Sequence, residues 1–133
     1  MRRQMLIALT AAAYGPLAAA ATYYVDFDSG KDDNPGTAPA QAFQHAPGDP
    51  SAAGAAAAVA LQPGDTVRFK GGVHYRGTVV IKASGAEGKP IVLDGNTDGQ
   101  YGAGRAIVDG SELLTGWPQC ASAQECLGNP NWQ

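Results

Sequence analysis

The sequence predicts an all-β solenoid, a chain of short strands wound into stacked coils and closed at its N-terminal end by a short helix. Three observations predict it. Four runs of β-branched and apolar residues follow residue 65, each four or five residues long and set apart by glycine-rich turns. Alternate runs recur at comparable intervals of some two dozen positions, Val67 to Ile91 and, slightly longer, Val79 to Ile107. Such a repeat belongs to folds in which one unit cannot bury its own face and stacking supplies the core. Ahead of the runs lies an alanine-rich segment with almost no charge, which must rest against apolar surface.

The chain opens with an export signature. Arg2 and Arg3 form a positive start, Met5 to Leu9 begin an apolar run that reaches Tyr14, and Gly15-Pro16 break it. Ala18-Ala19-Ala20-Ala21 then offers the small-x-small pattern that a signal peptidase requires. This order predicts a cleavable signal peptide over 1–21, cut after Ala20 or Ala21, and a secreted or periplasmic protein. The apolar stretch is too short for a bilayer, which needs about 20 residues, so no membrane span is expected after cleavage. The Arg2-Arg3 pair loosely resembles a twin-arginine signal, although two adjacent arginines are ordinary in such a region.

Composition narrows the function classes. The 133-residue chain has a formal net charge of −3; without Arg2 and Arg3, seven basic residues face twelve acidic ones, a balance of −5. Nucleic acid is therefore not an expected partner, since it calls for a basic patch. From Thr22 onward Val, Ile, Leu, Phe, Tyr and Trp are sparse, and alanine makes up much of the 44% hydrophobic content. A compact globule built from them has a thin core. Narrow repetitive packing answers that difficulty, and so does a chain that is the first part of a longer protein.

The mature elements follow in order. Thr22 to Phe27 reads as a strand, and Asp28 to Thr37 as a dense cluster of turn formers. A helix is expected over Ala52–Leu61, with Asp49 as its cap (Ser51 the alternative), Pro50 in the first turn and Pro63-Gly64 as the stop. Thr66 to Lys70 alternates, Val67 and Phe69 on one face and Thr66, Arg68 and Lys70 on the other. Further strands are expected at Thr78–Lys82, Pro90–Asp94 and Ala106–Asp109, stacked so that Val67 lies by Ile91 and Val79 by Ile107. A meander of antiparallel hairpins is the alternative, but the connections of about seven to eleven residues are longer than the tight turns it favours.

Several motifs occur here in one order: Tyr23-Tyr24-Val25, Asn34-Pro35-Gly36-Thr37, Pro63-Gly64-Asp65-Thr66-Val67, Gly71 to Gly77, Ser84-Gly85, Gly88 to Ile91, and Val108 to Ser111. The series, from about Thr22 to Trp117, resembles the N-terminal region of right-handed parallel β-helix proteins of the pectate-lyase-like superfamily. The resemblance implies that 22–65 is a cap made of a strand, an acidic turn loop and a helix. It implies that 66–133 holds the first one or two coils, truncated. It also implies a class in which many members are polysaccharide lyases or hydrolases on acidic glycans, often with calcium, whose catalytic groups lie on later coils beyond this fragment; an exported polysaccharide lyase on an acidic glycan is the leading expectation. A non-catalytic β-helix for surface attachment or glycan binding is the rival.

The residues themselves offer modest candidates for chemistry. Asp26, Asp28, Asp32, Asp33 and Asn34 present hard oxygen ligands for calcium, yet lack EF-hand spacing, and turn formation is the leading reading of them. Arg68, Lys70, Lys82 and Arg105 suit a positive ridge that neutralises a sugar carboxylate, or simply a solvated outer face. His74 and Tyr75 form a nominal acid–base pair at a corner where packing is the plainer role; His45 stands alone. Asp94 and Asp109 each precede glycine, as paired carboxylates or as turn residues. Cys120 and Cys126 are expected to form a disulfide in an oxidising compartment, with two free thiols as the alternative.

Overall fold

The computed structural model describes residues 19–111 and residue 116. Residues 1–18, which hold most of the expected signal peptide, and the expected disulfide pair Cys120 and Cys126 lie outside the described residues. Among the described residues there are five short strands: β1 (Thr22–Val25), β2 (Thr66–Phe69), β3 (His74–Arg76), β4 (Val92–Asp94) and β5 (Ile107–Asp109). One helix, α1 (Gly54–Ala58), and one 3-10 turn at Pro39–Gln41 complete the elements.

The strands form two small sheets, one of three strands in the order β1-β2-β4 and one of two, β3-β5. Every pairing between them is parallel. The expected right-handed parallel β-helix is corrected by this arrangement: the described residues form two separate small sheets rather than a continuous solenoid. The physical reason is visible in the registers. Thr22 pairs with Thr66, Thr66 with Val92 and His74 with Ile107; these steps along the chain are unequal, so no constant repeat winds it. Val67 pairs with Leu93 rather than Ile91. The expected strand at Thr78–Lys82 does not form, because Val80 gives its N–H to the Gly48 carbonyl (3.0 Å) instead of to a ladder. β5 pairs with β3 in its place, and β3 occupies residues whose composition is that of a corner.

The core lies on the inward face of β1 and β2. Alternation sends Val25, Val67 and Phe69 inward, where they meet Leu61, Val73 and Tyr75. Phe43, 1% exposed, lies stacked at 6.1 Å on Tyr23 and closes the side of β1. The Asn34-Pro35-Gly36 turn runs directly over the Phe43 ring. Gly36 has φ +70°, and a Cβ there would collide with the ring, so this position requires glycine twice over.

Helix α1 is shorter than expected, five residues rather than ten. Asp49 does not cap it; its carboxylate takes the Ser51 N–H (2.7 Å) and closes a turn of its own. The helix start is met from across the chain by Asp32, whose side chain accepts from Ala53 N–H (3.0 Å) and whose carbonyl accepts from Ala56 N–H (2.9 Å). A helix this short is not stable by itself and depends on such tertiary support. Among the described residues no helix is long and apolar enough to cross a membrane.

Candidate functional site

The outward row of the three-stranded sheet brings together four of the candidate polar residues, Arg68, Lys70, Asp94 and Asp26. Tyr24, Arg68 and Asp94 are register partners on β1, β2 and β4, so they stand side by side on one face. Arg68 Nε lies 2.9 Å from Asp94 Oδ2, and Arg68 Nη2 lies 3.0 Å from Asp98 Oδ2. The Nε contact is an ion pair whose N–H does not point well at the oxygen. Thr97 supplies its N–H (2.8 Å) and hydroxyl (2.7 Å) to Asp94 Oδ1. These two Thr97 hydrogen bonds, joined by Arg68, hold the Asp94 carboxyl below the usual carboxylate range despite partial burial. It therefore stays ionised at neutral pH and is unsuited to donate a proton.

Lys70 extends the row. Its ammonium lies 2.6 Å from Asp26 Oδ2, while Asp26 Oδ1 accepts the N–H groups of Asp28 and Ser29 (both 3.2 Å). The positive ridge read from Arg68 and Lys70 is thus neutralised residue by residue. Over the row folds the loop from Gly95 to Gly104. Asn96, at φ 65° and 2% exposed, clamps it by donating to the carbonyls of Gly102 (3.1 Å) and Gly104 (2.8 Å) and accepting from Tyr101 N–H (2.8 Å). Tyr101 meets Tyr24 edge-on at 5.1 Å. Burial, with Asp26 and Tyr24 beside it, pushes the Tyr101 phenol up to about 12. Its hydroxyl has no hydrogen-bond partner among the described residues. Next to the loop, a shallow depression of about 570 Å³ is bordered by Thr66, Arg68, Leu93, Thr97 and Asp98.

The acidic loop of the sequence divides its carboxylates among structural tasks. Asp32 accepts four hydrogen bonds: from Gln44 N–H (3.1 Å), His45 N–H (2.8 Å), Ala53 N–H (3.0 Å) and the His45 ring at Nδ1 (2.7 Å). Burial acts to raise Asp32, but the bonds from His45 and Ala53 outweigh it and the carboxyl titrates below its usual range. Asn34 donates to the Ala42 carbonyl (2.9 Å). Among the described residues no group of three or more His, Cys, Asp or Glu side chains is placed to hold a metal ion.

The remaining candidates do not converge. Tyr75 is buried; its hydroxyl donates to the Val25 carbonyl (2.8 Å) and accepts the Lys70 N–H (2.7 Å), tying β1 and β2 together at their ends. Burial pushes its phenol well above the ordinary range, which removes it from acid–base work near neutrality. His74, its neighbour, is exposed. His45 is held by Asp32 and stands edge-on to Phe27 at 5.6 Å. Asp94 and Asp109 lie in different sheets, and Asp109 accepts the Ser111 N–H (2.9 Å) in a turn. Sequence reasoning missed Asn96, whose Gly95-Asn96 turn gives no sign of which loop it will clamp, and Asp65, which enters only as a member of the Pro63 to Val67 motif.

No protein-family model matches this sequence, and no curated protein is significantly similar to it.

Proposed function

We propose that this chain is the N-terminal part of an exported protein that acts on an acidic polysaccharide, as a lyase. The observation that carries the reading is the ordered motif series from Tyr23 to Ser111, which resembles pectate-lyase-like proteins. The export signature of residues 1–21 supports it, since polymeric glycans are met outside the cytoplasm. In such a reaction a base removes the proton beside the uronate carboxylate, a cation stabilises the charge that develops, and the glycosidic oxygen leaves. Three of the candidate groups are not free for this: Asp94 and Asp32 are tied by hydrogen bonds and Tyr75 is locked in the core. Following the resemblance, the base is assigned to later residues beyond this fragment.

The test uses the full-length protein with pectate, alginate and chondroitin sulfate, each with and without calcium. Elimination creates an unsaturated uronate end that absorbs in the ultraviolet. Rising absorbance with one polymer supports the reading, and silence with all of them removes it.

A second reading, non-catalytic glycan binding, is favoured by the depression beside Arg68, where a cation, two threonines and two carboxylates border the exposed Leu93 side chain. Sugars bind such mixtures of polar groups and apolar platform. Binding without turnover, lost in Arg68→Ala, is the result that selects it.

A further inference from the structure

Three aspartates in the described residues are buried: Asp26, Asp94 and Asp65. Buried carboxylates are ordinarily paired, because taking a lone charge out of water is expensive. Asp26 has Lys70 and Asp94 has Arg68. Asp65 is the most buried of the three, 2% exposed, and among the described residues no cation stands within ion-pair distance of it. Its carboxylate meets two backbone donors instead. Oδ2 accepts the Gln62 N–H (2.8 Å), a local turn contact, and Oδ1 accepts the N–H of Ala21 (2.8 Å), 44 residues away.

Ala21 is the residue that the small-x-small pattern places next to a scissile bond. Its carbonyl accepts the Thr66 N–H (2.8 Å), so both its backbone groups are fixed at the entrance to β1 and β2. Ala20, before it, is exposed. We propose that the exported chain is cut between Ala20 and Ala21, and that the new α-ammonium of Ala21 is the missing cation of Asp65, locking the mature N-terminus onto the start of β2. The inference rests on the export reading above and adds to it the bond that is cut and the use made of the new end.

The chemistry balances as simple hydrolysis. Water adds across the Ala20–Ala21 amide, its oxygen going to the Ala20 carbonyl carbon and its protons to the Ala21 nitrogen; the signal leaves as a carboxylate. Cleavage takes place on the unfolded chain during export, so the partial burial of Ala21 after folding is no obstacle. The nitrogen already sits at a distance typical of charge-assisted hydrogen bonds, about 2.7–2.9 Å. Cutting one bond later removes the nitrogen and the carbonyl of Ala21 together, leaving Asp65 Oδ1 without its donor and the Thr66 N–H without its acceptor. The charged or titratable groups near this point are Asp65 itself, Tyr23, whose phenol is raised by burial and by Asp65, and Lys89, whose Cβ lies across Gly64 from Ala20. Of these only Asp65 favours the ammonium.

The full precursor is expressed in a bacterial host and the extracytoplasmic protein is analysed by N-terminal sequencing and intact mass. Ala21 as first residue is expected; Thr22 or any other first residue on an exported chain overturns the inference while leaving export standing. A chain kept inside the cell with its leader attached overturns both. The reactivity of the α-amine toward an acylating reagent is then followed against pH. An ordinary α-amine titrates near 8, and one pairing partner that raises it by a single unit leaves roughly fivefold less free amine at pH 8 and roughly tenfold less well below it. The folded exported chain is expected to show that protection, its urea-unfolded form to lose it, and Asp65→Asn to lose it while folded. Equal reactivity of the folded and unfolded chain sinks the ion pair even if Asp65→Asn does not fold.

Discussion

Tyr75 shows how much one side chain is asked to hold. Its hydroxyl joins the Val25 carbonyl to the Lys70 N–H, and its ring stands edge-on to Phe69 at 4.9 Å. Tyr75→Phe keeps the ring and takes the hydroxyl away from both backbone groups, so a loss of about 1–3 kcal/mol is expected in urea unfolding. The phenol titrates above its ordinary value when folded, so the stability it lends is complete below about 10 and falls as pH rises through the folded value. The alkaline limb of stability should therefore shift in Tyr75→Phe; an unchanged limb would contradict the strap. Asp32 behaves with the opposite sign. Its carboxyl titrates below the usual value near 3.9, so its contribution is present above that value and is lost as pH falls through the folded one. Asp32→Asn should flatten the acid limb and cost about 1–3 kcal/mol at neutral pH, because His45, Gln44 and the start of α1 all depend on the carboxylate. Neither role was legible beforehand. A tyrosine after two glycines and an aspartate in a turn-forming cluster announce local geometry, whereas their partners lie 50 and 21 residues away.

At the scale of elements, the legible parts were those whose pattern is local. The aromatic and β-branched run of β1 and the alternation of β2 mark strands without reference to anything else. The β3 strand was hidden, since His74-Tyr75-Arg76 after Gly71-Gly72 has the composition of a corner. Thr78–Lys82 had the better strand composition and forms none, because its backbone is claimed by the loop at Gly48. Propensity lost to tertiary hydrogen bonding there. The polar row across β1, β2 and β4 was half legible: alternation put Arg68 outward, but only the parallel register reveals Asp94 as its neighbour. That pair gives a test that separates its two components. Arg68→Ala is expected to cost about 1–3 kcal/mol, more than an open surface pair, because the buried Asp94 carboxylate is left without its cation. Asp94→Ala should cost more, because the Thr97 turn loses two hydrogen bonds as well. Equal losses in the two single variants of a double-mutant cycle would mean that the turn contributes nothing to the sheet.

At the scale of the whole molecule, the sequence intervals describe one wound stack, and the described residues instead hold two small parallel sheets with unequal steps between partners. Those intervals separate runs of similar composition, and composition does not fix which run pairs with which. The consequence is a surface. Among the described residues β4 ends the three-stranded sheet and β5 ends the two-stranded one, and both carry exposed apolar side chains: Val92 and Leu93 on one, Ile107 and Val108 on the other. Unpaired strand edges with apolar side chains are templates for association, and natural sheets commonly place lysine at such positions to prevent it. Leu93 is 48% exposed and Val108 61%, so replacing both by lysine removes little buried area. The double substitution Leu93→Lys, Val108→Lys is expected to change unfolding stability by only about 0.5 kcal/mol. It should also lower self-association at high protein concentration, read by sedimentation velocity. A large loss of stability would show that another part of the chain covers these edges, and unchanged association would show that they are not the surfaces through which copies meet.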